Sequence, residues 1–137
     1  HVSVARRKLS AGKWEVLTLT DYARNQDTGT GRVAARFGDG HEKVALGISP
    51  DGIIHLAFDH HVDRLHYRRS LAPIANTPDT SGWDQSLFGP TQDNLGGEAI
   101  GDVTYPNFTT DAAHGKFNLY LRTKGSGSGD SHLFTYS

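Results

Sequence analysis

An internal repeat constrains the fold of this chain more than any other feature of its sequence. The segment "DGIIHLAFD" aligns with "HGKFNLYLR", which matches Gly52 to Gly115 and Leu56 to Leu119. Two shorter pairs recur at nearly the same spacing, "YRRS" with "FTYS" and "RRKL" with "RRSL". Trp14 and Trp83 each open the segment that follows. The chain is therefore predicted to build successive copies of one structural unit.

Each copy has the pattern of a run of short β-strands. Apolar and polar residues alternate in "HEKVALGIS", "IIHLAF" and "RLHYRRS", and turns rich in Gly, Pro and Asp separate these runs. A fourth strand is predicted over "WDQSLF". A repeated unit of four antiparallel strands is typical of a β-propeller blade, and a small β-sandwich is the alternative. The predicted fold is all-β, a β-propeller fragment of about two blades.

The repeat also predicts where the blades begin and end. Residues 1–20 are assigned to the end of one blade, residues 38–89 to a complete blade and residues 101–137 to most of the next. The two tryptophans are expected to pack within the blades. Closed propellers need about four to eight blades, so the remaining blades of a longer parent chain are expected as partners.

Composition excludes several classes of function. The formal net charge is −1 with charges of both signs mixed, so neither a nucleic acid nor a membrane is expected as a partner. No apolar run approaches the roughly 20 residues of a membrane-spanning helix. The chain has no cysteine, which excludes disulfides and thiolate zinc sites. The stretch "KGSGSGD" lacks the Lys-Ser/Thr of a phosphate-binding loop and is predicted to be a turn.

Three motifs, in this order, resemble a known family. The segments "GDGHEKVALGISPDGIIHLAFDHHVDRLHYRRS", "VTYPNF" and "LYLRTKGSGSGD" are similar to the BNR-repeat-containing β-propeller family that includes ulvan lyases. The resemblance begins near Asp39 and continues to the C-terminus. It implies a parent propeller of about seven blades, within the usual range. Similar propellers act as α-L-rhamnosidases, so the fold does not decide the reaction.

The predicted meander brings the polar candidate residues to one edge. In antiparallel strands, the start of one strand and the end of the next lie at the same end of the sheet. His41 starts the first strand of one blade, and His61 follows the end of its second strand. Tyr105 and Arg122 have the corresponding positions in the next blade. We expect all four on the propeller face where ligands bind.

These residue types suit a β-elimination. Lyase cleavage of a uronate glycan needs a cation on the carboxylate, a base for the proton α to it, and an acid for the leaving oxygen. Arg122 suits the first role, because guanidinium binds carboxylate through two parallel hydrogen bonds. Histidine and tyrosine suit the other two, and which of them is the base stays open. By resemblance, the catalytic residues of ulvan lyases correspond to His41, His61, Tyr105 and Arg122.

Each candidate also has a structural alternative. His60 and His61 should face opposite ways in an extended chain, so one of them is expected to pack or to be solvated. His61 is preferred for catalysis, and His60 and Lys124 are predicted to bind substrate. An exposed lysine without a role is the alternative for Lys124. Tyr105 precedes Pro106, which favours an extended backbone at Tyr105.

The leading function is a polysaccharide lyase acting on a uronate-containing, ulvan-like glycan, sulfated or not. The alternatives are a glycoside hydrolase on the same fold and a propeller that binds sugar without catalysis. No metal site is predicted among the candidate residues and no cofactor for catalysis, while a structural metal ion elsewhere in a full-length chain is left open. The expected partner is a polysaccharide, and the expected location is secreted or periplasmic.

Overall fold

The computed structural model describes residues 1–10, 12–22, 43–77, 82–125 and 127–137. The fold is all-β, as predicted, with every paired strand antiparallel to its neighbour. The strands are β1 (Val2–Arg6), β2 (Glu15–Leu19), β3 (Ala45–Ile48), β4 (Ile54–Ala57), β5 (His61–Asp63), β6 (Tyr67–Arg69), β7 (Val103–Asp111), β8 (Lys116–Thr123) and β9 (Ser131–Tyr136). No helix in the described ranges is long and apolar enough to span a bilayer.

The strands form three small sheets. Their orders are β1-β2, β3-β4-β6 and β5-β7-β8-β9. The short strand β5 leaves the sheet of its sequence neighbours and pairs with β7 of the next sheet. The turn expected after β4 therefore contains a strand that links two sheets.

The predicted strand over "WDQSLF" is wrong. Residues Gln85–Leu87 form a single 3₁₀ turn, and only Phe88 bridges to Ser70. Asp84 explains the difference, because its carboxylate accepts a hydrogen bond from Ser86 N at 2.9 Å. Such a local bond competes with strand pairing and caps the short helix.

The sheets stack in series through two apolar clusters, an arrangement consistent with successive propeller blades. One cluster joins β1-β2 to β3-β4-β6, and the other joins β3-β4-β6 to the third sheet. Leu56 of β4 belongs to the first cluster, and its neighbour Ala57 belongs to the second. All four residues of β4 are buried, because its alternate side chains face sheets on both sides.

The two tryptophans are not equivalent. Trp83 packs against the first cluster, and its Nε1 donates to Val4 O at 3.1 Å. Trp14 is 60% exposed, with the Arg7 guanidinium carbon 5.1 Å from its ring centroid. The predicted packing role is therefore confirmed for Trp83, which lies against the apolar cluster between two sheets, and is wrong for Trp14.

Gly47 allows the second and third sheets to approach closely. A Cβ atom at this position would lie 2.6 Å from both Phe108 Cβ and Phe117 Cζ. We expect Gly47→Ala to lower the free energy of unfolding by about 1–3 kcal/mol, because the two stacked rings would have to move. Chemical denaturation of the intact protein measures this change.

Gly97→Ala is the matched control for that measurement. It adds the same methyl group where nothing lies within 4 Å, and it restricts the unfolded chain in the same way. Its stability should stay within about 0.5 kcal/mol of the wild type or rise slightly. Equal stability of the two variants would contradict a tight contact at Gly47.

Candidate functional site

Three strands of the third sheet align polar side chains in one row. His61 of β5 is opposite Thr104 of β7, and Thr104 is opposite Arg122 of β8. We call these three residues the cross-strand row. Neighbouring strands lie about 4.8 Å apart, so the row spans about 10 Å from His61 to Arg122.

Two bulges interrupt the pairing at this row. The β5–β7 register shifts between His61 and Asp63, and the β7–β8 register shifts between Thr104 and Asn107. The second bulge contains Tyr105. A bulge bends its strand and re-aims the side chain it carries, and bulges are frequent beside active sites. Tyr105 is thereby displaced from the regular alternation of β7.

Strained backbone is concentrated around the same row. Five non-glycine residues of the described ranges have φ between 55° and 65°: Asp59, Val62, Asp102, Tyr105 and Lys124. Each lies within two positions of His61, Thr104 or Arg122. Such conformations cost about 1–3 kcal/mol each and persist where the surrounding structure enforces them, typically at functional sites. The row therefore has the backbone signature of a site.

The extended backbone predicted for Tyr105 is wrong. Its φ is 56°, in the left-handed region, although Pro106 follows it. Pairing on both sides of the bulge imposes this conformation against the local preference of a residue before proline. Tyr105 is half-buried, and the ammonium nitrogen of Lys43 lies 5.5 Å from its ring centroid. A cation therefore neighbours the tyrosine at the edge of the row.

Thr104 is a member of the row that the sequence interpretation missed. Its side chain is buried, and its Oγ1 accepts a hydrogen bond from Val62 N at 2.9 Å. This bond ties the strained residue after His61 to β7. The only signal in the sequence was its place beside Tyr105 in "VTYPNF".

Within the described ranges, most of the hydrogen-bond donors of Arg122 have no partner. Its Nη2 donates to Gly125 O at 3.2 Å, and it forms no ion pair with any described residue. Gly129 makes room for it, because a Cβ there would lie 2.5 Å from Arg122 Nε. A half-buried guanidinium held by a backbone carbonyl can still bind a carboxylate through two nitrogens.

His60 and His61 differ in burial, as the predicted alternation requires. His61 is half-exposed in β5, whereas His60 is fully buried. His60 Nε2 accepts a hydrogen bond from His66 N at 2.8 Å, and the two rings stack 5.4 Å apart. Burial, and secondly the nearby His66, lower the pKa of His60 to about 3. This geometry gives His60 a packing role, and its predicted contact with substrate stays a prediction.

A polar network fixes the turn that precedes β5. Tyr22 OH donates to the Asp59 carboxylate, and the Asp59 carbonyl oxygen lies 3.1 Å from His66 Nδ1. The Tyr22 oxygen also lies 3.4 Å from His66 Nδ1. Asp59 thus holds the turn through both its side chain and its backbone carbonyl group.

The buried His60 should make stability depend on pH. The pKa of His60 is about 3 in the folded protein and about 6.5 in the unfolded chain. Between these two pH values the unfolded chain binds a proton at His60, whereas the folded protein does not. His60 should therefore lower the free energy of unfolding by up to about 1.4 kcal/mol for each pH unit below 6.5. The buried His55, whose pKa is lowered to about 4, adds a slope of the same sign. His60→Gln keeps an acceptor for His66 N and should remove only the His60 part, so the slope becomes shallower without vanishing. Denaturation of the intact protein at several pH values between neutral and mildly acidic measures it.

His114→Gln is the control for the pH experiment. His114 lies at the surface, and its Nδ1 lies 2.7 Å from Asp111 Oδ2 in the same turn. Its variant should keep the wild-type slope. A wild-type slope in His60→Gln would contradict a neutral, buried His60.

Lys124 and His41 complete the predicted site residues. Lys124 is exposed and pairs with Asp130 at 2.8 Å, and this bond and charge raise the pKa of Lys124. Its binding of substrate stays a prediction and would require its ion pair with Asp130 to break.

His41 lies outside the described residues, so its place in the site stays a prediction. The described part of the chain contains no group of three His, Asp or Glu residues suited to a metal ion.

Comparison with known protein families identifies a match along the chain. The model of a family described as "BNR repeat-containing family member" matches residues 1–137. No curated protein matches the chain.

Proposed function

This chain belongs to the BNR repeat-containing family along its whole length, and we propose that it is part of a polysaccharide lyase. Membership in this repeat family indicates a carbohydrate-related, propeller-type domain. The proposed substrate is a uronate-containing, ulvan-like glycan, sulfated or not. The remaining blades of the propeller are proposed partners, and a secreted or periplasmic location suits a polysaccharide substrate.

One observation carries this proposal. Arg122 has no carboxylate partner among the described residues and aligns with Thr104 and His61 across the sheet. An arginine that only stabilised the fold would be expected to pair with an acidic side chain. A guanidinium without a described carboxylate partner, in the same row as His61 and near the bulge that contains Tyr105, suits the binding of an anionic sugar.

The proposed reaction is a β-elimination. Arg122 binds the uronate carboxylate and stabilises the negative charge that develops as the α proton leaves. A base removes this proton, and its electron pair forms a double bond to the β carbon as the bond from that carbon to the glycosidic oxygen breaks. An acid returns a proton to the leaving oxygen. The products are an unsaturated uronate and a new hydroxyl end, with no water consumed.

His61 and Tyr105 are the proposed base and acid, in either order. Both residues are half-buried and lie next to the bulges in β5 and β7. Their side chains are therefore accessible for proton transfer to a bound sugar. His41, which the sequence predicts at this site, is the alternative residue for either role. Neutralisation of the carboxylate is assigned to Arg122, so the proposed chemistry calls on no cofactor.

A panel of uronate polysaccharides tests this proposal on the intact protein. A lyase produces an unsaturated uronate that absorbs in the ultraviolet, together with new chain ends. A hydrolase produces reducing ends without that chromophore, and a binding module retains the glycan without cleaving it. Either of the last two outcomes would overturn the proposed reaction.

A further inference from the structure

A cavity lies between the β3-β4-β6 sheet and the β5-β7-β8-β9 sheet. Its volume is about 530 Å³, which is in the usual range for small-molecule sites. Phe117 of β8 lines it, five positions before Arg122 on the same strand. This separation corresponds to about 17 Å, and an odd spacing places the two side chains on opposite faces. The cavity is therefore distinct from the cross-strand row.

One wall of the cavity is aromatic. The rings of Phe108 and Phe117 stack with centroids 5.3 Å apart, and Tyr136 meets Phe117 edge-on. All three residues line the cavity. Such a wall suits the apolar face of a ring-shaped ligand.

The guanidinium group of Arg69 lies at the exposed side of this wall. The Arg69 guanidinium carbon lies 5.9 Å from the Tyr136 ring centroid, and Nη1 donates to Tyr136 OH at 3.3 Å. Arg69 forms no ion pair with a described residue, and the Asp51 carboxylate accepts a hydrogen bond from Tyr136 OH at 3.0 Å. The remaining guanidinium donors are available to an anionic group.

A buried chain of hydrogen bonds fixes a second polar group in the cavity. The Ser49 hydroxyl donates to Asp51, so its oxygen accepts from His55 Nε2 at 3.0 Å. His55 Nδ1 is then an acceptor for Tyr67 OH at 2.7 Å. Burial lowers the pKa of His55 to about 4 and raises the pKa of Tyr67 to about 12, which agrees with two neutral groups.

This proton order determines what Tyr67 can offer a ligand. Its one hydroxyl proton is used on His55, so the Tyr67 oxygen presents only lone pairs to the cavity. The Gln92 side-chain amide, which forms no hydrogen bond with the described residues, adds a donor and an acceptor to the lining. A ligand with hydroxyl groups would satisfy both.

We propose that this cavity binds a carboxylate-bearing sugar unit. The carboxylate pairs with Arg69, a hydroxyl group donates to the Tyr67 oxygen, and the apolar face of the ring lies on the aromatic wall. This inference goes beyond the proposed function, because such a binding site would serve the protein whether or not the cross-strand row is catalytic.

The test uses methyl β-D-glucuronide as the probe and methyl β-D-glucoside as the analogue without a carboxylate. Binding to the intact protein is followed by ¹⁵N chemical shifts, with the Gln92 side-chain amide as a local reporter. Measurements are made in an Arg122→Gln background, which removes the anion-binding group of the other site. We expect weak binding of the glucuronide, shifts at Gln92, and at least roughly tenfold weaker binding of the glucoside.

Two variants and one control test the contacts. Arg69→Gln should weaken glucuronide binding by roughly tenfold or more, and Tyr67→Phe should weaken it by severalfold. Lys116→Gln removes one positive charge from an exposed position of β8 outside the cavity and should leave binding unchanged. Unchanged affinity in Arg69→Gln, equal binding of the two sugars, or no shift at Gln92 would each overturn the proposal.

Discussion

Arg122→Ala is expected to lower the turnover number of the intact enzyme by roughly a hundred- to a thousandfold. Loss of a charged hydrogen-bonding group that stabilises developing charge typically costs about 3–4 kcal/mol. Because the interaction strengthens as the proton leaves, turnover should fall more than substrate binding. Ultraviolet detection of the unsaturated product at saturating glycan measures this effect.

Arg122→Lys distinguishes geometry from charge. The ammonium keeps the positive charge but loses the planar pair of donors, so a large part of the loss should remain. Lys116→Gln, at the opposite end of β8, controls for a general effect of net charge and should retain wild-type turnover. Near-normal turnover in a folded Arg122→Ala would remove the arginine from the mechanism and with it the main reason to prefer a lyase.

His61→Ala is expected to abolish turnover while leaving stability close to that of the wild type. Its side chain is half-exposed, so truncation removes a proton-transfer group without opening the core. His60→Ala should have the reverse effect. It removes the acceptor for His66 N and leaves a cavity, at a cost of about 1–3 kcal/mol of stability.

Thermal unfolding and turnover, measured on both histidine variants, separate these roles. Residual activity of His60→Ala below its unfolding temperature should clearly exceed that of His61→Ala. Equal loss of activity in two folded variants would show that the turn presents both rings to substrate, and it would restore His60 as a substrate contact.

The sequence by itself determined the strand content and the burial of alternate residues. Short alternating runs with turn residues between them predicted the all-β fold, because side chains of a strand alternate between two faces. The same rule separated His60 from His61 before any contact was known. The repeat located most strands correctly, since each is formed by a local pattern.

Local patterns failed where a nearby side chain competed with the strand. At "WDQSLF" the Asp84 carboxylate accepts a hydrogen bond from Ser86 N, and a 3₁₀ turn forms in place of the predicted strand. Trp14 and Trp83 have equivalent places in the repeat, yet Trp83 packs against an apolar cluster whereas Trp14 is exposed. A repeat in sequence fixes the order of residues and does not guarantee the same neighbours.

Only the tertiary structure decided which residues meet. The pairing of β5 with β7, rather than with its own sheet, aligns His61 with Thr104 and Arg122. The left-handed backbone of Tyr105 opposes its local preference and is imposed by pairing on both sides of a bulge. The cavity at Arg69 exists because two sheets stack face to face. Register, bulges and sheet stacking depend on contacts between residues far apart in the chain, and no local pattern of residues specifies them.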